Sequence, residues 1–266
     1  MYRSALRSLA NRLAIMCLLT SACALRWSDA LQYQPTDFER RVLVRKAALH
    51  RLRERCSQKH VSCVSGDIYE FGIFTGLAMK AINQFLDNNS ISVRVVWGFD
   101  SFLGLPREDA KATNTTDSAY LRRVRKKDYR PGTYSTARAL KSSSPYESMH
   151  KLDIAINDTR VRWIPGFFER SLTPQLSVEQ GMQPAVYVDF DVDLYTSTLQ
   201  ALKWMLSSRL VVPGTLLFYD DWDAGGKGGQ QRAHREATQE YSVVLRNLGE
   251  AGPSYRKAMF EVISIG

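Results

Sequence analysis

Ala185–Thr198, with the sequence AVYVDFDVDLYTST, is the stretch that decides the fold. Residues 185–188 form an apolar run of β-preferring side chains, which is typical of a strand buried on both faces of a parallel sheet. Asp189, Asp191 and Asp193 follow at alternate positions, where such a strand would end. Because ligands of open α/β sheets bind outside the carboxyl ends of the strands, the stretch predicts a parallel sheet with a site at that edge.

A second apolar strand ends in the same way. Gly214–Tyr219 is followed directly by Asp220 and Asp221. Two strands that finish in carboxylates suggest one shared cation site, made of the hard oxygen ligands that Mg²⁺ prefers. The alternative is that these aspartates only cap helices and turns, as aspartate often does. The matching positions of the two clusters favour the cation site.

Composition favours a folded domain and argues against a polyanion partner. A hydrophobic content of 44% with 11% aromatic residues over 266 positions is enough for a packed core. The formal charge of +9 first suggests nucleic acid. However, residues 1–59 carry 12 lysines and arginines against 4 acids, whereas the remainder carries 24 against 23. The main body is therefore close to neutral, and we expect no nucleic-acid partner.

Residues 1–30 are interpreted as a targeting segment. Arg3, Arg7 and Arg12 precede the apolar stretch Leu13–Leu25, which ends near Ala22-Cys23-Ala24. This order is typical of a secretory signal, and the arginine-rich, acid-free start fits an organelle transit peptide or a plain basic helix as well. Localisation therefore stays open. The apolar stretch is too short to span a bilayer comfortably, so no transmembrane segment is expected.

Residues 36–62 predict a basic helix that precedes the main domain at 63–266. Thr36 offers a helix N-cap and Glu39 follows three residues later, which together make a capping box. An apolar stripe runs along Thr36–Lys59 with arginines on the other faces, so we expect this helix to pack outside the domain with its basic face solvated. Cys56 and Cys63 either form a disulfide in an oxidising compartment or remain free thiols.

The main domain begins with a strand and a glycine-bearing turn. Residues 67–72 form the strand, and the turn leads into a helix at Leu77–Asp87. The pattern is Glu70-x-Gly72-x-x-x-Gly76, which differs from the GxGxxG of dinucleotide sites. A carboxylate here would repel a pyrophosphate, whereas S-adenosylmethionine has no phosphate and carries ammonium and sulfonium charges. Glu70, Gly72 and Gly76 are therefore candidate cofactor residues, and Gly72 lets a ligand approach the backbone closely.

The second strand ends in a further cofactor candidate. Val93–Phe99 is rich in β-preferring residues and is followed by Asp100 and Ser101. An acid at the end of the second strand can accept hydrogen bonds from both ribose hydroxyls of an adenosine. Asp100 and Ser101 join the cofactor-binding set on this basis.

Four motifs together resemble one family. They are Glu70-x-Gly72, WGFDSFLGLP at 97–106, VDFDVDLYTST at 188–198 and GTLLFYDDW at 214–222. This set is similar to the macrocin O-methyltransferases, which are class I, metal-dependent enzymes that use S-adenosylmethionine. The resemblance runs from about Gly66 to Tyr241. It implies a Rossmann-like α/β fold, with a mostly parallel sheet and helices on both faces.

The resemblance also implies roles for particular residues. Asp191, Asp220 and Asp221 match the carboxylates that hold the metal, while Asp189 and Asp193 support the end of the strand. Gly166 and Phe167 match an element beside the adenine ring. A lysine stands three residues after the first metal aspartate in related catechol-type enzymes, but Leu194 occupies that position here. The general base is therefore unassigned, with Asp191, His150 and His234 as candidates.

The rest of the chain gives weaker predictions. Residues 107–160 form a long connection of the kind that makes lids or binding loops. Its basic run, Arg122–Lys127, is interpreted as a solvated surface, with contact to an anionic substrate as the alternative. Gly225–Gly229 is interpreted as a flexible loop. A helix at Gln230–Leu248 and a strand at Lys257–Ile265 are predicted to end the chain.

The sequence predicts a methyltransferase that acts on a hydroxyl of a small molecule or sugar, with S-adenosylmethionine and Mg²⁺ or another divalent cation. One alternative is a metal-dependent glycosyltransferase, because Asp189-x-Asp191 and Asp191-x-Asp193 are both DxD patterns that suit a nucleotide-sugar diphosphate. Another is a methyltransferase fold kept only for binding a partner. The methyl acceptor and the oligomeric state stay open.

Overall fold

The computed structural model describes residues 45, 49–54, 66–108, 118–222, 229–251 and 257–266. They contain a seven-stranded sheet of order β3-β2-β1-β4-β5-β7-β6. Its strands are β1 (Asp67–Phe71), β2 (Val96–Asp100), β3 (Val161–Pro165), β4 (Ala185–Phe190), β5 (Leu216–Tyr219), β6 (Val243–Ala251) and β7 (Lys257–Ile265). The first five strands run parallel to their neighbours, and β7 pairs antiparallel with β5 and β6. The predicted mostly parallel, Rossmann-like sheet is confirmed.

The helices of the described chain connect these strands and cover the sheet. They are α1 (Leu77–Asn88), α2 (Ser118–Val124), α3 (Thr136–Ala139), α4 (Pro145–Ile156), α5 (Phe168–Ser171), α6 (Leu176–Glu179), α7 (Tyr195–Ser207) and α8 (Gln230–Glu240), with a 3₁₀ turn at Lys127–Tyr129. The strand order reverses between β1 and β4, so the carboxyl ends of these two strands define the topological switch point where ligands of such sheets bind.

The two faces of the sheet make two hydrophobic clusters. Phe71 of β1 packs in one cluster with Trp204 of α7, whereas Ile68 of β1 packs in the other with Met79 of α1. Successive side chains of a strand point to opposite faces, so residues at even and odd positions enter different clusters. Both faces are therefore covered, which explains why these strands are apolar throughout.

The described part of the N-terminal helix belongs to the core. Residues 45 and 49–54 are helical, and Leu49 and Leu52 are 0% and 3% exposed in the same cluster as Ile68. The expectation that this helix packs outside the domain is therefore wrong for these residues, although Arg51 on the other face is solvated as expected. Arg45 stands four and seven positions before the two leucines, so it lies on their face of the helix and is buried with them.

The end of the chain also differs from the prediction. Helix α8 ends at Glu240, and residues 243–251 form strand β6 instead of continuing the helix to Leu248. Ser242 takes a left-handed φ of 50°, which breaks the helix, and Val243 then pairs with Ile265 of β7. Tertiary pairing with the last strand thus overrides a local helical pattern.

Several predictions lie outside the described residues. They concern the targeting segment 1–30, most of the helix at 36–62, Cys56 and Cys63, and residues 225–228 of the glycine-rich loop. Within the described part of the chain, every helix is too short or too polar to cross a membrane.

Candidate active site

A pocket opens at the switch point, beside the carboxyl ends of the parallel strands. The cavity has a volume of about 220 Å³ and is open to solvent on one side. Its lining includes seven of the predicted site residues: Gly72, Asp100, Ser101, Gly166, Phe167, Asp191 and Asp221. Five different strand ends are thus brought together by the fold, although these residues are spread over 150 positions of the sequence.

Three predicted site residues do not line this pocket. Gly76 caps helix α1 in a left-handed conformation and faces Leu152. Asp220 is only 1% exposed and lies behind Asp191 and Asp221. Glu70 is wholly buried within β1. The carboxylate of Glu70 therefore does not contact the pocket, contrary to the simplest interpretation of the sequence pattern.

Gly72 fixes the distance between the ends of β1 and β4. Its N–H donates to the carbonyl of Phe99, and the N–H of Asp191 donates to the carbonyl of Phe71, each at 2.9 Å. Gly72 has a φ of 88°, and a Cβ at this position would lie 2.0 Å from the carbonyl oxygen of Asp191. Since no side chain fits there, glycine is required for Asp191 to stand beside the turn that follows β1.

Asp100 holds the turn after β1 against the end of β2. Its Oδ2 accepts hydrogen bonds from the N–H groups of Ile73 at 2.7 Å and Phe74 at 3.2 Å. Its Oδ1 accepts from the N–H of Phe102 at 2.6 Å. Burial raises the pKa of Asp100 above its ordinary value, although these three N–H donors act in the opposite direction. Asp100 thus shapes the pocket as well as lining it.

The acidic cluster at the bottom of the pocket joins two strand ends. Asp191, Asp220 and Asp221 each offer a carboxylate oxygen, and these oxygens lie within 4.8 Å of one another. Burial, followed by repulsion from Asp220, raises the pKa of Asp191 to about 7. The predicted metal carboxylates are therefore adjacent in space, as the strand order implies.

Arg45 contacts two carboxylates of this cluster, and the neighbouring Asp189, from behind. Its Nε lies 2.8 Å from Asp189, its Nη2 lies 2.6 Å from Asp191 and its Nη1 lies 3.1 Å from Asp220. The guanidinium also lies 5.5 Å from the ring centre of Phe218. A cation from the N-terminal helix therefore neutralises part of the cluster.

Two further cations complete the surroundings of the aspartates. Lys257 of β7 donates to Asp220 Oδ2 at 2.5 Å, and Arg123 of α2 lies 3.3 Å from Asp193 and 3.4 Å from Asp221. The sequence analysis placed Arg123 on a solvated surface, but its side chain is only 6% exposed. That interpretation is wrong for Arg123, because α2 folds back over the cluster.

The charges in this group fit a divalent cation. Five aspartates (Asp189, Asp191, Asp193, Asp220 and Asp221) meet three cations (Arg45, Arg123 and Lys257). Two negative charges are left over when every group is ionised. Asp191 uses Oδ2 for Arg45 and Asp221 uses Oδ1 for Arg123, so each presents a second oxygen at the pocket. Hard oxygen donors with this excess charge suit Mg²⁺.

The comparisons with known proteins agree with the fold and the motifs. A family profile described as Macrocin-O-methyltransferase (TylF) matches residues 39–250. The chain belongs to this macrocin O-methyltransferase family. It is therefore a methyltransferase, and the resemblance seen in its motifs is confirmed.

Solved structures share the fold of this methyltransferase. The O-methyltransferase NovP has 19% sequence identity and a TM-score of 0.60, covering 96% of this chain and 99% of NovP. CalS11, described as calicheamicin methyltransferase, has 18% identity and a TM-score of 0.56, covering 96% of this chain and 92% of that one. A sequence search of curated proteins found no match.

The two histidine candidates for a general base lie away from the chemistry. His234 of α8 is buried against Trp222 and Phe260, and its Nδ1 lies 2.8 Å from the hydroxyl of Tyr219. Burial lowers the pKa of His234 to about 3. His150 is exposed on α4, and neither histidine lines the pocket of the methyltransferase. Asp191 is the candidate that does.

The pocket is also lined by residues that were not predicted as site residues. An aromatic pair of Phe74 and Tyr134 lies at the pocket wall with ring centres 5.8 Å apart. Gly104–Arg107 and three residues of α7, Thr196, Ser197 and Gln200, also line the pocket. Phe74 and Tyr134 both have left-handed backbone conformations, with φ of 47° and 57°. Only the folded chain brings the 74 and 134 segments together.

Proposed function

We propose that this methyltransferase uses S-adenosylmethionine, assisted by Mg²⁺, to methylate a hydroxyl of a small molecule or sugar. The observation that carries the proposal is the position of Asp191 and Asp221 in the pocket that Gly72 and Asp100 also line. Carboxylates for a cation and a cofactor-type turn therefore share one cavity. The CalS11 and NovP structures are described as methyltransferases, which supports the same class of reaction.

The residues divide into two groups along the pocket. Asp100 would accept hydrogen bonds from ribose hydroxyls, and Gly166 with Phe167 would lie beside the adenine. Gly72 would allow the methionine part to lie against the backbone. Asp191, Asp220 and Asp221 would hold the metal. S-adenosylmethionine, when bound, supplies a methyl group on a sulfonium, and Mg²⁺ lowers the pKa of a hydroxyl held at this site.

The chemical step needs an oxygen that has lost its proton. Of the three general-base candidates, Asp191 is the one that lines the pocket, so a carboxylate oxygen of Asp191 would accept the proton of the acceptor hydroxyl. Methyl transfer to that oxygen would break the bond between carbon and sulfur of S-adenosylmethionine and would leave S-adenosylhomocysteine. Holding the two reactants in line contributes several kcal/mol to lowering the barrier.

Calorimetry tests this proposal. The purified protein is titrated with S-adenosylhomocysteine, with a UDP-sugar and with MgCl₂ in separate experiments. We expect binding of S-adenosylhomocysteine and of Mg²⁺. Binding of the UDP-sugar in a Mn²⁺-dependent manner, without binding of S-adenosylhomocysteine, would instead support the glycosyltransferase. Binding of none of these molecules would support a fold kept only for a protein partner.

A further inference from the structure

The segment beside the pocket carries a strong excess of positive charge. Residues 118–141 contain eight lysines and arginines against one acid, Asp128. We define the basic rim as the exposed cations Arg107, Arg125, Lys126, Lys127, Arg130 and Arg138. This local excess differs from the near-neutral balance of the main body, so it requires its own explanation.

The basic rim is fixed to the pocket. Arg107 itself belongs to the lining. The N–H of Leu105 donates to the carbonyl of Thr133 at 2.8 Å, and the N–H of Gly132 donates to the carbonyl of Leu105 at 2.9 Å. At the other end of the segment Arg123 contacts Asp193 and Asp221 of the pocket. Arg107 therefore lies in the pocket wall, and the other five cations belong to a segment that is held to the pocket through Arg123, Gly132 and Tyr134.

Within the described part of the chain, the rim cations also lack acidic partners. No described acid forms an ion pair with any of the six side chains of the basic rim. Elsewhere in the described chain, lysines and arginines are commonly paired with acids, as shown by Arg94, Lys151, Arg160, Lys203, Arg232 and Arg246. Unpaired cations concentrated at the border of a cavity are typical of a site for an anionic ligand.

We propose that the methyl acceptor carries a phosphate or diphosphate group, which the basic rim binds while the acceptor hydroxyl lies at Asp191. This inference rests on the proposed function and adds the chemical class of its substrate. The guanidinium groups of Arg107 and Arg138 present paired N–H donors that match phosphate oxygens. The acidic bottom and the basic border give the pocket a polarity that orients such a molecule in one direction.

Two other anionic partners compete for the same charges. An anionic membrane or a nucleic acid would also be attracted by the basic rim. A flat surface or a polymer can reach the exposed cations outside the pocket, but Arg107 lines the pocket itself, where a small molecule fits. We therefore favour a small phosphorylated molecule.

Pyrophosphate serves as the probe, because it presents a diphosphate group and the rest of the acceptor molecule need not be known. The protein is first saturated with S-adenosylhomocysteine, and pyrophosphate is then titrated in by calorimetry at low and at high salt. We expect binding that weakens with salt and that falls about tenfold for each arginine removed in Arg107→Gln and Arg138→Gln. Arg235→Gln is the matched control, since Arg235 is an exposed cation of α8 outside the rim, and it should bind pyrophosphate normally.

The outcomes separate this inference from the proposed function. If S-adenosylhomocysteine binds but pyrophosphate does not, the basic rim inference is wrong and the methyltransferase assignment stands. Equal pyrophosphate affinity in Arg107→Gln, Arg138→Gln and the native protein would also overturn it. Sedimentation with phosphatidylserine vesicles that depends on Arg107 and Arg138, without pyrophosphate binding, would assign the rim to a membrane. Once an acceptor is known, Arg107→Gln should raise its KM more than it lowers kcat.

Discussion

Arg45 Nη2 donates a hydrogen bond to Asp191 Oδ2 at 2.6 Å, across 146 positions of the sequence. The same guanidinium donates to Asp189, which is wholly buried in β4. Glu70 of β1 stands beside Asp189 in the register of the sheet, and neither of its carboxylate oxygens accepts a hydrogen bond in the described structure. Burial, followed by repulsion from Asp189, raises the pKa of Glu70 well above its ordinary value. The positive charge of Arg45 therefore offsets negative charge on acids of both β4 and β1.

Replacing this side chain should destabilise the protein strongly. Arg45→Met leaves Asp189 buried without its cation, and we expect the free energy of unfolding to fall by about 3–5 kcal/mol. Arg51→Met is the control, because Arg51 is exposed on the same helix and pairs only with Glu54; it should change stability by about 0–1 kcal/mol. Urea denaturation measures both. Equal stability of the two variants would show that Arg45 is dispensable.

Gly72→Ala should damage the site through the backbone. The added Cβ would meet the carbonyl of Asp191 at 2.0 Å, so the ends of β1 and β4 must separate. We expect a lower melting temperature and loss of S-adenosylhomocysteine binding. Gly181→Ala is the control. Gly181 also has a left-handed φ, of 59°, but a Cβ added there would have no atom within 4 Å. That control should show only the backbone cost of about 1–2 kcal/mol and should keep cofactor binding.

Asp100→Ala should weaken cofactor binding. Loss of charged hydrogen bonds to the ribose lowers the affinity for S-adenosylhomocysteine by an amount on the order of 1–3 kcal/mol. Calorimetry measures the change, and circular dichroism checks that the variant is folded. Asp87→Ala removes an exposed carboxylate far from the pocket lining and should bind normally. Native affinity in a folded Asp100→Ala protein would remove Asp100 from the cofactor site.

Mg²⁺ binding should depend on the aspartates at the bottom of the pocket. Asp220→Asn and Asp221→Asn each remove one negative charge and one oxygen donor from the cluster. We expect Mg²⁺ affinity to fall in both variants while S-adenosylhomocysteine binding is retained. With an acceptor in hand, EDTA should stop turnover of the native enzyme. Full activity in EDTA would make the three acids structural.

Because His234 is buried in its neutral form, the protein should lose stability in mild acid. Its pKa is about 3 in the folded protein and about 6.5 when unfolded, so the unfolded chain binds an extra proton between these values. Stability should therefore fall as the pH drops below 6.5, by about 2 kcal/mol at pH 5. We expect His234→Gln to reduce this dependence, and His150→Gln, on an exposed surface, to leave it unchanged. Urea midpoints at pH 7 and pH 5 measure it, and an identical pH slope in His234→Gln would contradict the assignment.

The sequence by itself determined the sheet and the aspartates at its edge. Apolar runs such as 185–188 predict buried parallel strands because both faces of the strand need apolar side chains. Since parallel strands end at a common edge, the aspartates that follow the two strands were predicted to meet, and the family resemblance selected Asp191, Asp220 and Asp221 as the metal ligands. These are local patterns combined with a general rule of topology.

Only the tertiary structure decided which charged side chains form ion pairs and whether residues 243–251 form a helix or a strand. Arg45 and Arg123 look like surface residues because their acidic partners are distant in sequence, and only helix packing brings them together. The spacing of Arg45, Leu49 and Leu52 did indicate that Arg45 lies on the apolar face of its helix. It could not show which acids Arg45 contacts. Residues 243–251 became a strand because β7 offers an edge to pair with. Pairing energy of this kind depends on contacts across the fold, which no local window of sequence contains.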